Sequence, residues 1–164
     1  MPVSSGASLR SVSTVAGVLA IAIAGCVQLP PTGSVAIPPI PAGAARAWFY
    51  RDPGPYDGVE TPYIRMNDAI VAISELGGAS YRDVLPGQYL VTVDSYGHDF
   101  NQYRQVYLFP GQQVYFKIVT LRNWIAGGGP RLQNDFQRTT FYFWQIPPEV
   151  AQGEVARSQF YGGG

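Results

Sequence analysis

Residues 88–96 read Gln88-Tyr89-Leu90-Val91-Thr92-Val93-Asp94-Ser95-Tyr96, and their alternation decides the fold class. Tyr89, Val91 and Val93 fall on one face of an extended chain and Leu90, Thr92 and Asp94 on the other, the period of a half-buried strand. Pro86-Gly87 precedes it as a turn in which Pro fixes φ at the first central position and Gly supplies positive φ at the second. Pro110-Gly111 repeats that signal between the apolar runs 105–109 and 114–121. Leu85-Pro86-Gly87-Gln88 and Phe109-Pro110-Gly111-Gln112 therefore look like a partial repeat. Shared turn geometry explains it, and two copies are too few for a solenoid.

Upstream, residues 47–51 put Trp48 and Tyr50 on one side of a strand and Phe49 on the other. The run 52–58, with two prolines and two glycines, breaks the chain. Segments 63–66 and 69–74 flank Asn67-Asp68, a pair suited to a two-residue hairpin because both tolerate positive φ. Gly77-Gly78 leads into 80–84. Downstream, 97–103 is a polar loop, 122–135 (RNWIAGGGPRLQND) an irregular, mobile one, and 136–146 a long aromatic strand. Pro147-Pro148-Glu149 can open a short helix over 149–157, Pro being tolerated in the first turn and Glu favourable at the positive end. Gly153 weakens that helix, and the glycines 162–164 should fray. The expectation is an all-β fold: an antiparallel β-sandwich of about seven or eight short strands over residues 46–160, a short carboxy-terminal helix, and a flexible tail at 161–164.

The amino terminus belongs to another kind of chemistry. No charged side chain lies between Arg10 and Arg46, and residues 12–24 form an apolar run behind a short basic start. That is the layout of a signal peptide, and it is short of the ~20 apolar residues a membrane-spanning helix requires. Ile23-Ala24-Gly25-Cys26 resembles the lipobox of bacterial lipoproteins, with cleavage after residue 25 and Cys26 becoming the first residue. The resemblance implies a diacylglycerol on the Cys26 thiol and, in many bacteria, a further acyl chain on its amino group. Two or three chains make anchoring stable, since each buried methylene contributes about 0.8 kcal/mol. In Gram-negative families an Asp after the cysteine retains a lipoprotein at the inner membrane; Val27 stands there, which favours the outer membrane in such a host. The other reading of Cys26 is an ordinary free thiol; as the single cysteine of the chain it has no disulfide partner within it. Residues 26–45, with five prolines and no charge, read as a lipidated cysteine and a tether of up to roughly 60 Å in polyproline II. Val35, Ile37 and Ile40 are apolar enough to let that stretch pack on the domain instead.

Removal of 25 residues leaves 139 of the 164, enough for one core. Of eleven basic residues only Arg10 is lost, so charge stays balanced and no field favours nucleic acid. Segment 46–146 resembles uncharacterised bacterial lipoprotein domains with a transthyretin-like or carboxypeptidase-regulatory-like β-sandwich. The resemblance rests on Ala47-Trp48-Phe49-Tyr50-Arg51, Ile64-Arg65-Met66-Asn67-Asp68-Ala69-Ile70, Leu85-Pro86-Gly87-Gln88-Tyr89 and, loosely, Phe141-Tyr142-Phe143. That family commonly has a glycine in the turn held here by Asn67-Asp68, and it brings no known activity.

Catalytic chemistry is thinly supplied. The single histidine, His98, shares one loop with Ser95 and Asp99, and side chains so close in sequence rarely converge as a triad. Asp57, Asp94 and Asp99 fit no metal-binding loop, Glu60 and Glu75 have no visible cleft to share, and Gly127-Gly128-Gly129-Pro130 lacks the lysine and helix of a phosphate loop. No cofactor, metal or catalytic residue is expected. Tyr56, Tyr96, Tyr103 and Trp124 are the candidate binding aromatics, against the plainer reading that they staple loops onto the sandwich. The expectation is a membrane-anchored envelope lipoprotein whose sandwich binds or supports another envelope protein. A module for carbohydrate or peptidoglycan is the alternative, and a small hydrolase the remotest one.

Overall fold

The computed structural model describes residues 28–54, 57, 59–95, 102–125 and 136–164, together with Met1, and the side chains of all of these except 121–125 and 136–138. Residues 2–27, which include the expected signal segment and Cys26, together with Tyr56, Tyr96, His98 and residues 126–135, lie outside the described residues. In chain order the strands are β1 (Ala45–Tyr50), β2 (Tyr63–Met66), β3 (Ala69–Ile73), β4 (Gly78–Val84), β5 (Gly87–Val93), β6 (Tyr103–Leu108), β7 (Gln113–Ile125), β8 (Phe136–Ile146) and β9 (Gln159–Gly163), with helix α1 (Pro148–Arg157) before the last.

These strands form two sheets, β8-β7-β1-β4-β9 and β3-β2-β5-β6, the expected all-β sandwich with a short carboxy-terminal helix. The alternation of β5 works as read: Val91 and Val93 are buried and Gln88, Leu90 and Thr92 turn away from the core. Ile64, Met66, Leu108, Phe49, Phe116 and Phe143 meet them from the other strands. Phe116 stacks on Phe49 with centroids 5.6 Å apart and takes the ring of Phe143 edge-on at 5.9 Å, pairs worth about 1 kcal/mol each beyond their burial. Asn67 and Asp68 hold φ of 48° and 67°, the values a two-residue hairpin demands. Gly111, at φ 74°, completes the Pro110 turn, closed by the Gln112 N–H donating to the Phe109 carbonyl.

Two strand pairings depart from a purely antiparallel sandwich: β1 is antiparallel to β4 but parallel to β7, and β9 is parallel to β4. β1 is thus the centre of its sheet and buried on both faces. Its second face, Trp48 and Tyr50, joins Tyr81 and Tyr115 in an outer cluster closed by Ala151 and Val155 of α1 and by Ile37, Ile146 and Phe160. Ala151 and Val155 stand four residues apart on one helix face. Gly153 has open space around it apart from the end of Arg157, so its cost is conformational.

Three expectations are corrected. Residues 30–44 do not stand off as a tether. A 3-10 turn at Thr32–Ser34 is tied to Ser158, Pro31 bridges Gln159, and the Pro38 carbonyl accepts from Arg46; proline carbonyls remain good acceptors even where proline N–H groups are missing. The tail does not fray: Gln159–Gly163 pairs with β4, because glycine at 163 leaves room for the Tyr81 ring that a Cβ would strike. Finally, β7 continues past residue 121 to Ile125, paired through to Phe136, so residues 122–125 are strand rather than loop.

Candidate functional site

The two outer faces of the sandwich differ. That of the five-stranded sheet is sealed by α1 and the amino-terminal segment, and no cover lies over the other among the described residues. Register sets what the uncovered face displays. Ile70, Arg65, Thr92 and Tyr103 stand side by side across β3, β2, β5 and β6. The adjoining row holds Ile73 opposite Tyr63. On the other side, Gln105 faces Leu90 and Tyr107 faces Gln88. Ile70, Ile73, Tyr63, Tyr103 and Tyr107 remain 51%, 45%, 45%, 51% and 56% exposed, the fractions of side chains with water on their outer sides. Tyr107 carries the ring of exposed Phe109 at 4.8 Å. Such a patch of apolar and tyrosyl side chains is uncommon on a face without a partner.

One ion pair stiffens its middle. Arg65 meets Asp94 at two points, Nε to Oδ1 at 2.9 Å and Nη2 to Oδ2 at 3.1 Å, which holds the guanidinium above its ordinary range through the hydrogen bond with Asp94. Both side chains are part-exposed, so the pair orders the surface more than it stabilises the fold.

The strongest electrostatics lie elsewhere. Glu154 of α1 accepts from the Tyr50 hydroxyl at 2.6 Å and from Lys117 Nζ at 3.1 Å, and Lys117 also meets Asp52 at 2.5 Å. Burial opposes ionisation of Glu154, but those donors and the Lys117 charge outweigh it and hold the carboxyl below the usual carboxylate range. Burial first, and then the bond to Glu154, pushes the Tyr50 phenol well above its ordinary value. The cluster fastens the helix to β1 and β7, and each member is spent on another. At the same end of β1, Arg51 is buried, donates to the Glu60 carbonyl at 2.8 Å and lies 5.0 Å from the Phe141 ring centroid. Glu60 Oε1 accepts from the Thr139 hydroxyl at 2.9 Å. Among the described residues no three His, Cys, Asp or Glu side chains gather as metal ligands.

Of the candidate aromatics, Tyr103 is the first residue of β6 rather than part of a loop, and it belongs to the uncovered face. The backbone of Trp124 lies in β7 opposite Gln137, on the other sheet from Tyr103. Tyr56, Tyr96 and Cys26 lie outside the described residues. Ile70 and Ile73 were not anticipated, although 69–73 reads AIVAI without polar alternation. An apolar run on both faces of an edge strand is itself the signal of an uncovered apolar surface. No protein-family model, curated protein or solved structure matches the chain.

Proposed function

We propose that the chain is a cell-envelope lipoprotein, held to a membrane by acylated Cys26, whose sandwich is a non-catalytic module binding another envelope protein through the outer face of β3-β2-β5-β6. In a Gram-negative host Val27 favours the outer membrane, and the transthyretin-like likeness belongs to the same proposal. The observation that carries it is the asymmetry of the two sheets: one outer face is sealed by the chain's own segments, while the other keeps Ile70, Ile73, Tyr63, Tyr103 and Tyr107 in water. Tyr supplies large contact area with few rotatable bonds to freeze, which suits it to interfaces. A photo-crosslinking side chain at Tyr107 or Ile70 should capture one stoichiometric partner in cells, whereas one at Val150, exposed on α1, should not. Equal capture at all three sites would overturn the assignment of the face. The anchor is tested by the mass of the mature amino terminus, with Cys26→Ser losing the acyl mass. A cell-wall glycan is the second reading, favoured by three tyrosines on one sheet face; glycan binding lost on Tyr103→Ala would select it.

A further inference from the structure

The amino-terminal segment reaches the sandwich without slack. Gln28 follows Cys26 by two residues, a reach of at most ~8 Å at one Cα step per residue. From Pro30 onward the chain is stitched to the other terminus. The Phe160 N–H donates to the Pro30 carbonyl at 2.9 Å, and the Thr32 N–H and hydroxyl both donate to the Ser158 carbonyl, at 2.8 and 2.9 Å. This fixed point lies at the end of the sandwich where β1 finishes and β4 begins.

That end has a surface of its own. Leu29, Pro31, Pro53, Leu76 and Arg157 line an open cleft of about 760 Å³. Leu29, Pro31 and Pro53 are exposed, as is Arg157 in the last turn of α1. The cleft's two carboxylates, Asp52 and Glu154, are engaged by Lys117. What remains is an apolar rim beside an exposed guanidinium, the combination that suits the boundary of phospholipid headgroups: apolar side chains enter it and arginine meets phosphate.

We infer that this end of the domain lies against the phospholipid headgroups, so that the sandwich sits on the bilayer in a fixed orientation with the turns at Leu85 and Gly111 farthest from it. The inference rests on the anchoring of Cys26 proposed above. With only Val27 between the anchor and Gln28, the lipid surface meets this end before any other. The uncovered sheet face then stands roughly upright on the membrane, open to a partner from the side.

The test uses the isotope-labelled mature chain from Cys26, its single thiol coupled to a maleimide lipid in nanodiscs of phosphatidylethanolamine and phosphatidylglycerol doped with a gadolinium-chelating lipid. Strand length separates the two ends by roughly 20 Å, so amide broadening at Leu29, Leu76 and Arg157 should exceed that at Leu85 and Gly111 by about tenfold or more. Even broadening along the molecule, or a gradient rising from another face, overturns the inference. Because the lipid is coupled chemically, the outcome does not depend on acylation in cells. Failure of the Cys26 reading appears separately, in the mass of the mature amino terminus.

Discussion

The guanidinium of Arg46 meets Asp83 at two points, both 2.7 Å, donates to the Pro38 carbonyl at 2.8 Å, and lies 4.0 Å from the centroid of Tyr81. It joins β1, β4 and the amino-terminal segment while remaining only 3% exposed. Asp83→Ala strands that charge away from water, and the loss should be about 3 kcal/mol of unfolding free energy, read from the urea midpoint. The paired replacement Arg46→Met with Asp83→Leu should cost clearly less than either single change, because no ion is left without its partner. Glu154 sets a pH dependence. A carboxyl held below its unfolded value contributes stability that is complete above the ordinary carboxylate range and is lost as pH falls through the folded value. Thermal midpoints should therefore drop as pH is lowered below about 4, and Glu154→Gln should flatten that part of the profile. An unchanged profile in the variant would remove Glu154 from the account.

At the scale of elements, the hairpin of β2 and β3 shows what a side chain can add to a ladder. Asn67 Oδ1 accepts from the Leu90 N–H at 2.8 Å while the Asn67 N–H donates to the Leu90 carbonyl at 2.9 Å, so the turn residue extends the pairing of β2 with β5. Asn67→Ala should lose about 1 kcal/mol or more, through the hydrogen bond and the positive φ together, whereas Asp68→Gly should be neutral or stabilising; equilibrium unfolding of both variants checks this. At the other end of the chain, Gly163→Ala should push β9 off Tyr81 at a cost of about 1–3 kcal/mol, with faster amide exchange confined to β9 and β4. These two elements also mark how much was legible in the sequence. Turn and strand 85–93, the Asn67-Asp68 hairpin, the two faces of β1, and the helix could be read, because each depends on local φ preference or on a period of two. β9 could not, since Gln159-Phe160-Tyr161-Gly162-Gly163 lacks alternation and is held by the shape of Tyr81. The packing of 30–44 was readable only as an alternative, from the apolar Val35, Ile37 and Ile40; its hydrogen bonds were not, because the Pro30 and Pro38 carbonyls accept from Phe160 and Arg46 and Thr32 donates to the Ser158 carbonyl, groups that no window along the chain brings together. Of the candidate surface, Tyr103 was readable by residue type, but its register with Arg65 and Ile70 was not.

At the scale of the whole molecule, the sandwich has one finished side and, among the described residues, one uncovered side. Tyr63→Ser with Tyr107→Ser should leave the urea midpoint within roughly 0.5 kcal/mol of the parent, as expected for exposed positions, while abolishing capture of a partner. A matching loss of stability would instead make these tyrosines part of the fold's own support. The finished side also carries a timing constraint. Thr32 and Ser158 are 126 residues apart, and the layer over Trp48, Tyr50, Tyr81 and Tyr115 is built from the two extremes of the domain. Contacts of such separation form late. Until α1 and Phe160 have been made, Trp48, Tyr50, Tyr81 and Tyr115 lack most of the layer that closes over them, so this aromatic cluster is sealed only after all the strands that carry it are in place.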